Sequence, residues 1–236
     1  MQRPRIILNF AMTVDGKVST AKQTPSGFTS AFDKHHLLEI RSLGDALMVG
    51  KNTLQIDQMS MGLPDEALRQ ARVQRGQSEY PIRVVVTNSG DLPVHLNIFN
   101  HQFSPIVIYS TTRMPADIES QLRTKAELHL SKNDRVSLGE VLNDLYETRQ
   151  VRTLVCEGGP QLAKALAELD VIDELHLTIA PILSGGTGAP GILGTSGTFL
   201  PSSRVYRLES IKVEADECYL HYVVDRPPCT TPMRFS

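Results

Sequence analysis

Three short segments place glycines, small hydroxyls and ionisable groups where apolar runs come to an end. Val49-Gly50-Lys51-Asn52-Thr53 sets a glycine, a cation and a hydroxyl at the start of a helical stretch. Free N–H groups there, with the positive end of the helix dipole, make a small phosphate site; an ordinary capped turn has the same outline. Cys156-Glu157-Gly158-Gly159-Pro160 is the more specific segment. Paired glycines after a buried strand let backbone approach a pyrophosphate, and Pro160 suits the first turn of a helix. Glu157, at the strand end, can hydrogen-bond a substrate or stand solvated in a turn. Ser184-Gly185-Gly186-Thr187-Gly188 reads either as a lid or as a surface loop.

The elements that must position these segments follow from the pattern of apolar residues. Residues 6–11 read as a buried strand and 29–43 as a helix with Leu37, Leu38, Ile40 and Leu43 inward, ending at Gly44. Further strands are expected at 45–49, 82–87, 105–109, 126–130, 153–156 and 174–180, with helices near 66–75, 116–123, 138–148 and 161–169. Residues 204–213 and 217–225 read as a closing hairpin turned at Ala215-Asp216. Alternating strands and helices predict an α/β fold with a mainly parallel sheet, helices on both faces and a C-terminal antiparallel hairpin. Ligands of such sheets bind beyond the carboxyl ends of the strands, where all three segments fall. One domain over 1–225 is expected, followed by a Pro-rich, loosely packed tail over 226–236.

The 236 residues carry 24 basic and 26 acidic side chains, a net charge of −2, which gives no support for nucleic acid or an anionic membrane as partner. Three cysteines, Cys156, Cys218 and Cys229, lack metal or disulfide spacing and fit a reducing compartment. The first ten residues lack the apolar core of a signal peptide and no run of about 18 apolar residues occurs, so a cytoplasmic location is expected. GxGxxG, GxxxxGK[ST] and GxSxG are absent. His35-His36 with Glu39 reads as a helical surface group, and His95, His101, His129, His176 and His221 show no ligand spacing, so no metal is expected.

Three motifs in order carry a resemblance. They are Asn9-Phe10-Ala11-Met12-Thr13-Val14-Asp15-Gly16-Lys17, then Arg41 with Asp45-Ala46-Leu47-Met48-Val49-Gly50-Lys51-Asn52-Thr53-Leu54 and Asp57, then Glu157-Gly158-Gly159-Pro160 with Asp173-Glu174-Leu175-His176-Leu177-Thr178 and Pro181. From about residue 5 to about residue 224 the chain resembles the riboflavin-biosynthesis pyrimidine reductases, the reductase domain of the bifunctional deaminase/reductase. The resemblance implies a dihydrofolate-reductase-like fold, NADPH as cofactor, a homodimer, and reduction of 5-amino-6-(5-phosphoribosylamino)uracil, or a close relative, from ribosyl to ribityl. The zinc-bearing deaminase motifs of the bifunctional proteins are absent from this sequence.

Carried over by position, the cofactor would meet Ala11, Met12, Gly50, Thr53, Asp57, Asn88, Gly158, Gly159, Gln161 and Leu162, and the substrate Ser26, Arg41 and Glu157. Asp15, Lys17 and Glu157 are the candidates for supplying a proton, and Lys51 and Arg113 for a cofactor 2′-phosphate. One departure stands out. The family has a short Leu-Thr-x-Arg segment after the position of Asp57, where this chain reads Gln58-Met59-Ser60-Met61-Gly62-Leu63-Pro64, with Arg69 and Arg72 as the nearest replacements. Two other readings fit parts of the pattern. One is a dihydrofolate or pterin reductase with Asp33 as the pterin-binding acid; the other is a nucleotide-binding relative without turnover.

Overall fold

The computed structural model describes residues 2–20, 27, 30–195 and 199–225. The tail 226–236, Cys229 and Ser26 lie outside the described residues.

The strands are β1 (Arg5–Thr13), β2 (Ala46–Gly50), β3 (Ile82–Val86), β4 (Ile106–Thr111), β5 (Glu127–Ser131), β6 (Thr153–Cys156), β7 (Glu174–Ala180), β8 (Tyr206–Glu214) and β9 (Glu217–Val224). The helices are α1 (Ala31–Leu43), α2 (Lys51–Ile56), α3 (Glu66–Gln74), α4 (Ala116–Leu122), α5 (Leu138–Glu147) and α6 (Pro160–Glu168). The strands form one sheet in the order β5-β4-β3-β2-β6-β1-β7-β9-β8. β5 through β7 pair in parallel, and β9 and β8 close the sheet antiparallel to β7 and to each other. Ala215 and Asp216 turn that hairpin with φ of 51° and 64°, the left-handed pair a two-residue turn of primed type requires.

Alternation along the strands builds two cores. Ile6, Leu8, Phe10, Ala46, Met48, Leu154 and Cys156 pack with Val141, Leu142 and Leu145 of α5 and Leu162 and Leu166 of α6. Ile7, Leu47, Val49 and Val155 point the other way, against Ile40 of α1, Leu54 of α2 and Leu122 of α4. Each of the larger aliphatic and aromatic side chains, fully buried, contributes about 1.5–3 kcal/mol of transfer free energy. Gly44 ends α1 in extended geometry, φ −81° and ψ 140°, so left-handed backbone is not the reason for a glycine there. A Cβ at Gly44 would stand 2.8 Å from the Ala46 carbonyl and 2.9 Å from Val155 Cγ2; close packing of the chain against β6 sets the residue.

The strand order decides where a ligand can sit. After β2 the chain moves outward through β3, β4 and β5, whereas β6, beside β2, connects past β1 to β7. Connections leaving two neighbouring parallel strands in opposite directions open a crevice at their carboxyl ends. Gly50 ends β2, and Glu157-Gly158-Gly159 follows β6.

Candidate active site

At the crevice the two glycine turns are joined directly. The Gly50 N–H donates to the Gly158 carbonyl at 3.0 Å, and the Glu157 N–H donates to the Met48 carbonyl at the same distance. Gly158 has φ +98°, and a Cβ there would lie 3.0 Å from the Phe10 ring of β1. A Cβ at Gly159 would stand 2.5 Å from the Thr53 hydroxyl. Both positions therefore need glycine, one for backbone geometry and one for space.

Gly159 is the N-cap of α6 and Pro160 its first residue, with no side-chain cap. The first-turn N–H groups of Gln161 and Leu162 have no acceptor within the helix and face the crevice end. Gly50 caps α2 in the same uncapped manner. Leu162 itself is buried in the core, so only its backbone is available to a ligand. Ala11 and Met12 are half-buried at the carboxyl end of β1, paired with Thr178 and Ile179 of β7. The structure thus gathers Ala11, Met12, Gly50, Thr53, Gly158, Gly159, Gln161 and Leu162 about one strand-end crevice.

Asn88 follows β3, the next strand outward, and its side-chain carbonyl accepts the Val136 N–H at 2.8 Å. It holds the start of the next loop in place. Lys51 Nζ lies 3.5 Å from the Ser89 hydroxyl and 3.7 Å from the Asp91 carboxylate, while Arg113 donates to the Asn88 carbonyl at 3.2 Å. Both cations considered for a 2′-phosphate therefore meet at the loop 88–91.

Arg41 and Glu157, each read from sequence as a substrate contact, are bonded to one another. Arg41 Nε and a terminal nitrogen donate to the two Glu157 oxygens at 2.6 and 2.7 Å, and the other terminal nitrogen donates to the Gly62 carbonyl at 2.9 Å. The side chains are 10% and 3% exposed. Burial works against the guanidinium charge, and the carboxylate overrides it, so the Arg41 pKa is raised. Two of the Arg41 donors that sequence assigned to substrate are thus occupied by Glu157. Asp57, exposed at the end of α2, has its carboxyl pKa raised first by partial desolvation and then by the Glu157 charge.

Asp15 accepts the Thr13 hydroxyl at 2.6 Å and the N–H groups of Ser184 and Gly185 at 3.1 and 2.7 Å. These bonds, the Thr13 hydroxyl first, hold its carboxyl down to about 2. A group ionised that deeply does not donate a proton near neutral pH; Asp15 instead tethers the 184–188 loop, which sequence left open as lid or surface. The Val18 N–H to Pro190 carbonyl bond, 2.9 Å, closes the same lip. Lys17 stands half-buried on it, with no ion pair among the described residues.

Neither arginine considered as a replacement turns inward. Arg69 donates to the Leu63 and Pro64 carbonyls and to Glu79, and Arg72 is fully buried on the carbonyls of Ser42, Gly44, Ser78 and Glu79. The segment 58–64 is a wall of main chain fastened from behind by Arg41, Arg69 and Asn97.

The RibD C-terminal domain model matches residues 4–222 of this chain. The chain belongs to that family. Its sequence is 33% identical over 195 residues to the 2,5-diamino-6-ribosylamino-4(3H)-pyrimidinone 5′-phosphate reductase of Methanothermobacter thermautotrophicus, covering 83% of this chain and 86% of that one. The protein of the same name from Archaeoglobus fulgidus is 28% identical over 209 residues, 89% of this chain and 94% of that one. Among solved structures, a pyrimidine reductase-like protein from Corynebacterium diphtheriae superposes with a TM-score of 0.80 at 17% identity, covering 95% and 93% of the two chains. The RibD family fold is the dihydrofolate-reductase-like arrangement the motifs implied, with its largely parallel sheet and closing hairpin.

Sequence reasoning missed two side-chain groupings. The Arg41–Glu157 pair spans 116 residues, and no local pattern links its members. Glu174, His176 and His221 also converge, although the histidines lack ligand spacing along the chain. The signal was present only in the hairpin register, which sets His176 opposite His221.

Proposed function

We propose that this protein is an NADPH-dependent reductase that converts a ribosylaminopyrimidine 5′-phosphate to the ribitylamino compound. The observation that carries the reading is the crevice between β2 and β6. Two glycine turns are bonded across it, and the uncapped start of α6 stands where a Cβ at Gly159 would touch Thr53. A diphosphate laid over the backbone of that turn would find the α6 N–H groups as donors. The names of the archaeal relatives supply the substrate class.

NADPH would lie with its pyrophosphate against Gly158, Gly159, Gln161 and Leu162 and its nicotinamide over Ala11 and Met12, where it supplies a hydride. Lys51 and Arg113, brought to one loop, suit the 2′-phosphate that separates NADPH from NADH. The ribosyl carbon C1′, as an open-chain imine, gains the hydride; its nitrogen gains a proton, and the C=N π bond becomes the ribityl C–N single bond. Asp15 does not deliver that proton. Lys17 and Asp57, whose carboxyl is shifted up, are the groups left on the lip and the α2 end to hold it. Glu157, held rigid by Arg41, sets the charge and shape of the pyrimidine side.

The reading includes a homodimer and a cytoplasmic location. Support for the dimer comes from β8, an edge strand with Ile211 and Val213 exposed by 57% and 63%. No helix among the described residues is long and apolar enough to cross a membrane.

The test is titration of the purified protein with NADPH and NADH by nicotinamide fluorescence, with Gly159→Asp alongside. Turnover is then followed with the diamino-pyrimidinone phosphate, the amino-uracil phosphate and dihydrofolate. NADPH binding lost in Gly159→Asp, with turnover of either ribosylamino substrate, is the expected result. Binding of neither nucleotide would sink the reductase reading, and turnover of dihydrofolate alone would move it to the pterin reductases.

A further inference from the structure

On the sheet face that carries α1, toward the amino end of β7 and away from the crevice, three metal-ligating side chains converge. Antiparallel pairing sets His176 directly opposite His221, so both leave the sheet on one face, their rings 4.2 Å apart between centroids. Glu174, two residues before His176, shares that face. One ligand atom from each of the three lies within 4.8 Å of the others. Glu174 Oε2 is 3.0 Å from His221 Nε2 and 3.7 Å from His176 Nε2. Ligands bound tetrahedrally to zinc at about 2.0–2.1 Å stand about 3.4 Å apart, between those two separations.

His176 is the residue that points to a ligand. It is 8% exposed, and its Nε2 has no hydrogen-bond partner. Glu174, at 3.7 Å, is beyond hydrogen-bond reach of it. A buried polar atom without a partner is unfavourable and rare in folded proteins. Behind the cluster, Arg5 lies 3.2 Å from Glu174 Oε1, so the other oxygen is the one turned toward the imidazoles. Oriented carboxylates of this kind are a regular feature of metal sites.

We propose that Glu174, His176 and His221 bind one divalent transition-metal ion of the zinc type. Two imidazoles and one carboxylate are a zinc donor set, and water completes it. His221, the most exposed of the three ligands, is on the entry side. Its ring, now 20° from parallel with that of His176, turns to bring the two nitrogens together on the ion. The bound ion clips the hairpin strand β9 to β7. Its readouts are metal binding and thermal stability, not turnover, so it stands or falls independently of the reductase reading.

The full-length protein, stripped with a chelator, is titrated with Co²⁺ by visible absorption and with Zn²⁺ by calorimetry, and its melting temperature is followed with each ion and with Mg²⁺. One equivalent per chain, intense four-coordinate cobalt bands and a melting shift with Zn²⁺ but not Mg²⁺ are expected. His221→Gln and Glu174→Gln should abolish the bands and the shift, Arg5→Gln should weaken binding about 10- to 100-fold, and His129→Gln should change nothing. His221 is half-buried on a strand surface, so its variant folds even where a change at buried His176 does not. Absence of stoichiometric binding, or binding untouched by His221→Gln, would overturn the proposal.

Discussion

Arg41 and Glu157 close a two-bond fork, 2.6 and 2.7 Å, that ties α1 to the turn after β6 beneath the crevice. Removing one partner leaves the other charge buried and unpaired. Arg41→Ala is expected to destabilise the fold by about 3–5 kcal/mol, and Glu157→Ala by a similar amount. Arg41→Met with Glu157→Met, which removes both charges and keeps volume, should recover most of that loss. Urea denaturation of the three variants measures it. Equal losses in the single variants and the double variant would show that the fork is not what holds these elements.

The same fork reaches Asp57 through its charge. Partial desolvation and the Glu157 carboxylate both raise the Asp57 pKa. In Glu157→Gln the second cause disappears and the first stays, so the Asp57 carboxyl should titrate lower than in the parent while remaining above its ordinary value. The linkage has a definite sign. A carboxyl raised on folding contributes stability that is complete below its unfolded pKa and fades as pH rises through its folded one. Glu157→Gln should narrow that window from its upper side. Carboxyl-carbon NMR titration follows the group directly; an unchanged midpoint would separate Asp57 from Glu157.

The fold was legible where the information is local. The sequence marks 153–156 and 174–180 as strands, with the same bounds as β6 and β7, because β-branched and apolar runs end at turn residues. The glycines at 50, 158 and 159 could be read because they stand at or just past the end of a strand. What was not legible depends on sheet order. Residues near 50 and 158 become neighbours only because β6 inserts between β2 and β1. Arg41 and Glu157 each looked available to a ligand, since nothing in either neighbourhood names the other as partner. Asp15 looked like an acid because the N–H groups that donate to it lie 169 and 170 residues away.

Asp15 can be separated from the proton donors by kinetics. Asp15→Asn keeps one acceptor but turns an amide donor or a weaker acceptor toward the Ser184 and Gly185 N–H groups. The loop 184–188 should loosen, raising KM for cofactor while the pH dependence of kcat keeps its shape. Lys17→Met should instead lower kcat about 10²- to 10⁴-fold if that amine holds the proton. Steady-state pH profiles of both variants decide it; a displaced acid limb in Asp15→Asn would return Asp15 to the chemistry.

Gly159 and Thr53 make a steric prediction. A Cβ at 159 would lie 2.5 Å from the Thr53 hydroxyl and 3.9 Å from its Cβ. Gly159→Ala therefore forces the hydroxyl aside, and NADPH affinity should fall about tenfold, equivalent to about 1.4 kcal/mol. Thr53→Ala removes the obstructing atom, so Gly159→Ala combined with Thr53→Ala should bind no worse than Thr53→Ala alone. Fluorescence titration of the four proteins closes the cycle. Additive losses would mean that the alanine methyl obstructs the cofactor itself, and that Thr53 is not the group it displaces.

The outer edge of the sheet makes the last prediction. β8 pairs with β9 on one side only, and the strand carries Leu208, Ile211 and Val213 exposed. Edge strands with such side chains invite another strand, and natural proteins protect them with charge, proline or cover. A second copy related by a twofold axis would pair edge to edge and bury the same side chains twice. The parent protein should sediment as a dimer, and Ile211→Lys or Val213→Lys should yield a monomer of unchanged far-ultraviolet circular dichroism. Because the crevice lies at the carboxyl ends of β2 and β6, several strands from β8, NADPH affinity in the monomer should stay within about twofold of the parent, well inside the tenfold that 1.4 kcal/mol represents. A parent protein that sediments as a monomer would remove the dimer from the reading, and the apolar edge would then have to be covered in some other way.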